Sequence, residues 1–218
     1  MDAKYLDLIE QYRDEMIRTL QELIAFRSVA SNPVEGAPFG AGVRDAFEYM
    51  LNKAKADGFD TENVDNYGGH IEFGGYLLDE EGDVVGTSDE VMGILCHLDV
   101  VPEGKDWDYE PFGGQVAEGR VYGRGAIDDK GPTVAAYYAM KALKDAGVVP
   151  EKKVRLILGL DEETGWKGMD YYLKRVNQPD FGFSPDGEFP VIHGEMGLLI
   201  FDLAKKIGKT AAGAAGVS

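Results

Sequence analysis

Two short, almost entirely apolar runs constrain the fold of this chain more than any other feature of its sequence. VMGILCHLDV spans residues 91–100 and KKVRLILGL spans residues 152–160, and each has the length and composition of a buried strand. Between them, residues 132–146 have the apolar spacing of a helix, with Pro132 in its first turn and Gly147 just after its end. This succession is typical of an α/β sandwich, in which helices cover a mostly parallel sheet.

The remaining periodicity predicts further elements around this unit. Apolar residues recur at helical spacing over 2–26 and 41–57, and another helix is predicted at 166–176. The Ala/Gly-rich residues 205–218 lose all periodicity, so we interpret them as a disordered end or a linker. Short or alternating apolar segments predict strands at 61–65, 69–78, 180–183, 189–193 and 197–203, a hairpin at 115–123, and a hairpin turn at 79–83.

The charge balance excludes two classes of partner. The 218 residues contain 22 Lys and Arg against 39 Asp and Glu, a formal net charge of −17. Nucleic acids and anionic membranes both require positive surface, so neither is expected as a partner. No apolar run reaches the roughly 18 residues of a membrane span, and the acidic start MDAKYLDLIE differs from a signal peptide. The single cysteine, Cys96, excludes an internal disulfide, and together these features predict a cytoplasmic protein.

Ligand-type side chains cluster where strands are expected to end. Sites in open α/β sheets gather beyond the carboxyl ends of the strands. We therefore expect the segments that follow the strands to converge at one edge of the sheet. Four segments carry His, Asp or Glu at such positions: HLD at 97–99, DD at 128–129, DEE at 161–163 and SPDGEFP at 184–190.

Each segment has a metal-binding interpretation and a simpler structural one. Asp99 lies on the same side of an extended chain as His97 and can accept its second ring N–H, as carboxylates do for metal-bound histidines. Alternatively, His97 is a hydrogen-bonded histidine of the interior. Asp128 and Asp129 suit either cation bridging or capping of the following helix. For the adjacent acids of 161–163, a divalent ion would make their close spacing favourable, with one glutamate as ligand and its neighbour as general base. Alternatively, these residues form a solvated acidic loop, which requires no ion.

The other reactive residue types are assigned structural roles. His70 and His193 lie in predicted strands. Cys96 lies inside an apolar run and has no evident basic partner, which is typical of a small core residue. The Walker A and EF-hand patterns are both absent from the sequence.

Five stretches together resemble one family of enzymes: HLDVVPEG, WDYEPFGG, GRVYGRGAIDDKGP, DEETGWKGMDYYL and SPDGEFPVIHGEMG. They are similar to the catalytic domain of the co-catalytic zinc peptidases that include carboxypeptidase G, aminoacylase and succinyl-diaminopimelate desuccinylase. The likeness is strongest to the PepV-like bacterial dipeptidases and extends over residues 1–206. It implies a three-layer α/β/α sandwich.

The resemblance also implies a role for each matching residue. In the family, the peptide bond that follows the bridging aspartate, here Asp128–Asp129, is cis. The implied catalytic residues are Glu162 as general base and Asp99 as the carboxylate that orients a ligand; the implied metal ligands are His97, Asp128, Glu163 and Asp186, with Asp128 as the bridge.

Zinc is the implied cofactor, with two ions in the full-length enzyme and manganese or cobalt as alternatives. The implied reaction is hydrolysis of the amide bond of a dipeptide by a zinc-bridging water, with a glutamate as base. Two alternatives stay open. One is an N-acyl amino acid deacylase or desuccinylase of the same family, and the other is an inert fragment that only binds metal or a partner chain.

The chain departs from the family in one respect. The family's second metal-binding histidine follows an inserted lid domain, and His193 does not match that position. We therefore expect residues 1–206 to be the N-terminal part of the catalytic domain and 207–218 to be a tail or the start of the lid domain. In this interpretation the missing C-terminal half supplies the last metal ligand.

Overall fold

The computed structural model describes residues 3–194, 196, 197 and 203, and it divides into two compact units, Met1–Asp186 and Gly187–Ser218. The helices of the described residues are Ala3–Gln11 (α1), Arg13–Ala25 (α2), Ala41–Ala56 (α3), Lys130–Asp145 (α4) and Lys167–Tyr172 (α5). The strands are Asp60–Val64 (β1), Gly68–Gly74 (β2), Tyr76–Leu78 (β3), Val84–Thr87 (β4), Val91–His97 (β5), Gln115–Ala117 (β6), Arg120–Tyr122 (β7), Lys153–Gly159 (β8) and Phe181–Phe183 (β9). A short 3₁₀ turn covers Glu162–Thr164.

Among the described residues, the main sheet has five strands in the order β1-β2-β8-β5-β9. Strand β5 is parallel to both β8 and β9, with His97 opposite Gly159 and Ile94 opposite Phe183. Strands β1 and β2 are antiparallel, and β2 is antiparallel to β8. The α/β class is thus confirmed, but the sheet is mixed.

The antiparallel half of the sheet follows from a tight turn. Val64 pairs with Gly68 across the turn, and Asp65 and Asn66 adopt left-handed φ values of 53° and 58°. So short a connection allows only antiparallel pairing, because a parallel pair needs a long crossover. The expectation of a mostly parallel sheet did not take this turn into account.

Helices cover both faces of the sheet, which gives three layers. Helices α2, α3 and α4 pack on one face over a large core that includes Phe47, Tyr137 and Leu156. On the other face, the neighbouring Ile157 packs with Met169 and Tyr172 of α5 and its flanking turn. Successive residues of β8 therefore point to opposite cores, and this explains why the strand is apolar throughout.

Several element boundaries differ from those expected. The helix expected at 2–26 is divided at Tyr12, whose φ of −83° and ψ of −3° depart from α geometry. The strand expected at 69–78 breaks at Gly74 and Gly75, which have positive φ, and the hairpin β3–β4 continues beyond them. The helix expected at 166–176 ends at Tyr172.

At the C-terminal side, the strand expected at 180–183 is confirmed as β9, whereas residues 189–193 form no strand. The strand expected at 197–203 and the tail at 205–218 lie almost entirely outside the described residues. Within the residues that the structure describes, no helix has the length and apolar character needed to cross a membrane.

Candidate metal centre

The parallel strands bring three of the sequence segments to one edge. Strands β5, β8 and β9 run in the same direction, so the residues that follow them emerge at the same side of the sheet. His97 is the last residue of β5, the acidic turn follows β8, and Asp186 follows β9. The fourth segment, Asp128–Asp129, directly precedes α4, which begins at Lys130. It lies at the same edge, since Asp129 accepts the backbone N–H of His97.

His97 is buried, and contacts from two directions hold it in place. Its backbone N–H donates to Asp129 Oδ2 at 2.9 Å, and its ring Nδ1 lies 3.0 Å from the backbone carbonyl oxygen of Asp99. Because a carbonyl can only accept, Nδ1 carries the proton in the neutral ring and Nε2 carries the lone pair.

The Nε2 atom of His97 faces two carboxylates. It lies 3.0 Å from Asp128 Oδ1 and 3.4 Å from Asp186 Oδ2, yet it is buried without a hydrogen-bond partner. The candidate ligand atoms of the three residues lie within 4.8 Å of one another. A lone pair and two carboxylates at such distances favour a cation among them. The donor set fits a divalent transition metal, since zinc accepts both imidazole nitrogen and carboxylate oxygen.

The pKa of His97 reports the same negative surroundings. Burial lowers the pKa of this imidazole, but the carboxylates of Asp99, Asp129 and Asp186 outweigh burial and raise it to about 10. A bound metal would displace that proton, because a histidine ligand must be neutral.

Asp99 differs in detail from its expected role. The hydrogen bond to the His97 ring comes from its backbone carbonyl, while its carboxylate Oδ1 lies 3.3 Å from Nδ1. The carboxylate accepts the backbone N–H groups of Glu162 and Glu163, each at 3.1 Å. Asp99 therefore joins the end of β5 to the turn after β8.

The three consecutive acids after β8 have separate environments. Asp161 is buried and accepts hydrogen bonds from the backbone N–H groups of Lys167 and Gly168 at 2.7 and 2.9 Å. Its carboxylate therefore stabilises the start of α5. Glu162 Oε2 lies 3.9 Å from His97 Nε2. Glu163 lies outside the group formed by His97, Asp128 and Asp186. Burial raises the pKa of Glu163, and the charge of Asp128 raises it further.

The positions of two residues at the site were not predicted from the sequence. Asp129 was interpreted as a possible helix cap, but it makes no side-chain capping bond and binds the His97 amide instead. Burial raises the pKa of Asp129 to about 7. Lys130, the next residue in the sequence, is completely buried. The only sequence signal was the unusual Asp-Asp-Lys succession, and the implied cis peptide bond between Asp128 and Asp129 is present.

A cavity of about 770 Å³ adjoins the acidic turn. Its walls come from the loop at 30–39, from Asp65 and Tyr67 at the β1–β2 turn, and from Asp161, Thr164 and Lys167. Asp161 and Thr164 flank Glu162 and Glu163 in the sequence, so the cavity begins one residue away from each glutamate.

Comparison with known proteins identifies the family. Residues 93–203 match the model of peptidase family M20/M25/M40. The chain is 44% identical over 209 residues to a β-Ala-Xaa dipeptidase of Lactobacillus delbrueckii subsp. lactis, covering 94% of this chain and 42% of that protein. It thus spans about two-fifths of the length of the curated relative.

Solved structures share the fold. Human carnosine dipeptidase 1 matches with a TM-score of 0.68 and 22% identity, over 86% of this chain and 41% of that one. The dipeptidase Dug1p from Saccharomyces cerevisiae matches with a TM-score of 0.62 and 21% identity, over 79% and 37%. The family match covers half of the chain and includes all four segments at the site, with His97 and Asp186 among them. The chain belongs to peptidase family M20/M25/M40.

Proposed function

We propose that the whole protein is a zinc-dependent dipeptidase. The observation that carries this proposal is the buried, unpartnered Nε2 of His97, which faces the carboxylates of Asp128 and Asp186. The 44% identity to a β-Ala-Xaa dipeptidase over 94% of this chain supports a dipeptide as substrate. Because the chain spans about two-fifths of that relative, the activity is proposed for the whole protein.

We assign His97, Asp128 and Asp186 as the ligands of one zinc ion. Zinc held there supplies Lewis acidity toward an amide carbonyl and toward water. Asp128 and Glu163 are the proposed ligands of a second ion, and we assign its remaining protein ligand to a position outside the described residues. Residues 1–206 are the proposed catalytic part, with 207–218 as a tail or the start of a further domain.

Glu162 is the proposed general base. Its carboxylate is 3.9 Å from His97 Nε2, close enough to meet a water molecule at the edge of the centre. Glu162 takes a proton from the attacking water while the water oxygen bonds to the amide carbon. It then delivers that proton to the amide nitrogen as the C–N bond breaks, which releases a carboxylic acid and an amine. The two hydrogen bonds that the backbone N–H groups of Glu162 and Glu163 donate to the Asp99 carboxylate fix the base before substrate binds.

The cavity beside the turn provides space for a small substrate. Its volume of about 770 Å³ lies in the range of small-molecule sites. Phe39 and Tyr67 give it an apolar wall, and its walls also carry the amine of Lys167 and the carboxyl groups of Asp65 and Asp161. Such a lining suits a short peptide, which carries both charges.

The substitution Glu162→Gln tests the assignment of the base. In the whole enzyme we expect hydrolysis of dipeptides to fall by about 10²–10⁴-fold, because the proton acceptor is lost. Zinc binding, measured by calorimetric titration, should stay within about threefold, because Glu162 is not an assigned ligand. Glu151→Gln, at an exposed position before β8, is the matched control and should keep full activity. Unchanged hydrolysis in Glu162→Gln would rule out this base.

A substrate panel and a zinc titration separate the alternatives. Faster hydrolysis of N-acyl amino acids than of dipeptides would favour the deacylase alternative. If the 218-residue chain binds zinc but the whole protein hydrolyses neither class, the inert metal-binding alternative stands.

A further inference from the structure

Lys130 is a charged residue that the proposed chemistry does not use. Its side chain is fully buried, at 0% exposure. Its Nζ donates to the backbone carbonyl oxygens of Leu23 at 2.8 Å and Phe26 at 2.9 Å. These carbonyls lie at the C-terminal end of α2, where a cation is favourable, and each also accepts one backbone amide. Two hydrogen bonds from a fully buried Nζ leave this side chain little freedom to move.

The same lysine contacts the turn that leads to Asp128. A Cβ at Gly125 would lie 2.9 Å from Lys130 Cδ, so this turn rests directly on the lysine stem. The amide of Gly131 donates to the carbonyl of Gly125 at 3.2 Å and closes the turn around Asp128. Lys130 thus connects the end of α2 to the segment that carries Asp128.

The segment that follows α2 is hydrogen-bonded to the segment that carries His97. Ser28 Oγ donates to the carbonyl of Leu98 at 2.6 Å, and the amide of Val100 donates to the carbonyl of Ser28 at 3.1 Å. Leu98 lies between His97 and Asp99 in the sequence. The end of α2 therefore contacts both segments whose spacing sets the distance from His97 to Asp128.

We propose that Lys130 is a positioning residue of the metal centre. By holding the Asp128 turn on the end of α2, it fixes the carboxylate of Asp128 at the distance from His97 Nε2 that a shared metal ion requires. This inference rests on the proposed zinc site, and it assigns Lys130 a role in metal affinity in addition to its contribution to folding.

Lys130→Met tests the proposal, and the chain offers a matched control. Lys144 also donates to a carbonyl at a helix end, that of Asp57 after α3, at 3.0 Å. It lies at the opposite end of α4, about 21 Å away at 1.5 Å per residue. We expect Lys130→Met to raise the Kd for zinc at least tenfold, and Lys144→Met to leave it within about twofold. Both are measured in the 218-residue chain at a temperature where circular dichroism shows each variant folded.

Lys130→Arg is the conservative rescue. It keeps the charge and more than two donors, so its zinc Kd should stay closer to that of the unchanged chain than the Kd of Lys130→Met does. Equal zinc affinity in folded Lys130→Met and the unchanged chain would overturn the proposal. An unchanged chain that bound no zinc would overturn the metal centre and this inference together.

A measurement on the unchanged chain decides the matter if Lys130→Met does not fold. The amides of Phe26 and Ser28 donate to the same carbonyls that Lys130 contacts. Because coupling is reciprocal, zinc at the site should slow hydrogen exchange of these two amides several-fold. Exchange at Asp57 and Gly58, beside Lys144, should not change. Equal exchange at Phe26 and Ser28 with and without zinc would overturn the proposal.

Discussion

At the scale of single residues, neighbouring charged groups differ in function according to which backbone amides they meet. Asp161 and Glu162 are adjacent in the sequence, yet Asp161 accepts two amides at the start of α5 while Glu162 turns toward His97. Asp128 and Asp129 divide in the same way, since Asp129 binds the His97 amide and Asp128 faces the ring. In each pair, one acid supports the local backbone and the other remains available to a metal or to water.

His70 illustrates a titratable residue with a purely structural setting. It is buried in β2 against Tyr172, whose hydroxyl lies 2.8 Å from its Nδ1. Burial lowers the pKa of His70 from 6.5 to about 4. The unfolded chain therefore takes up a proton before the folded one as the pH falls from about 6.5 to about 4. His70 destabilises the fold progressively through that window.

We expect the unfolding free energy to lose about 2 kcal/mol between pH 7 and pH 5 through His70 alone. His70→Gln cannot titrate, and its amide can still bond the hydroxyl of Tyr172. Urea denaturation should therefore show a weaker pH dependence in His70→Gln than in the unchanged chain. His193→Gln, at an exposed position, should keep the original dependence. Identical pH profiles for all three chains would contradict this account.

The sequence alone predicted part of the site. His97, Asp99 and the acidic turn could be predicted because they directly follow apolar strands, and strand ends meet at one edge. The roles of Asp129 and Asp161 could not, because they depend on which amide lies nearby in three dimensions. The roles of His97, Asp128, Glu163 and Asp186 as metal ligands, and of Glu162 as general base, stay predictions.

At the scale of elements, β2 lies so close to α3 that only glycine fits at one position. A Cβ at Gly69 would lie 2.2 Å from the carbonyl oxygen of Glu62 on β1 and 2.7 Å from Phe47 Cζ on α3. Phe47 is fully buried and belongs to the larger core. Gly69 therefore sets how closely the helix layer approaches the antiparallel half of the sheet.

Gly69→Ala should lower the unfolding free energy by about 1–3 kcal/mol, because it forces overpacking against a strand and a core ring. The matched control is Gly86→Ala in β4, where a Cβ would lie 3.4 Å from Leu77 Cδ1, in ordinary contact. Its effect should stay within about 0.5 kcal/mol. Urea denaturation of both variants provides the comparison. Equal losses of unfolding free energy in the two variants would show that the close approach of β2 to Phe47 is not the reason for glycine at position 69.

At the scale of the whole molecule, the two outer strands of the main sheet, as the described residues form it, differ in chemistry. Strand β1 carries Asp60 and Glu62, and charged side chains protect an edge from pairing with another chain. Strand β9 carries Phe181 and Phe183 instead, which are 47% and 56% exposed. An apolar edge strand of this kind promotes association between copies.

We expect the 218-residue chain to self-associate through β9, with a sedimentation coefficient that rises with protein concentration. Phe181→Thr should weaken this dependence, because it removes exposed apolar surface and places a β-branched residue, which suits a strand, at this position. Val85→Thr, in the β3–β4 hairpin, removes a similarly exposed residue away from the edge and should have little effect. A coefficient independent of concentration in the unchanged chain would refute the prediction.

The fold was predictable where periodicity was strong. The β5–α4–β8 unit was predicted because both strands are buried on two faces and α4 has one continuous apolar side. The direction of β1 and β2 was not, because the local pattern of a strand carries no information on its pairing. Residues 189–193 are apolar enough for a strand but form none. Apolar composition alone was therefore not enough to predict a strand there.

Asp99 holds the imidazole of His97 through its carbonyl and the amides of both glutamates through its carboxylate. A displacement of the β5 end would therefore carry the base along with the ligand. We therefore expect the distance between His97 and Glu162 to change little when this edge of the sheet moves.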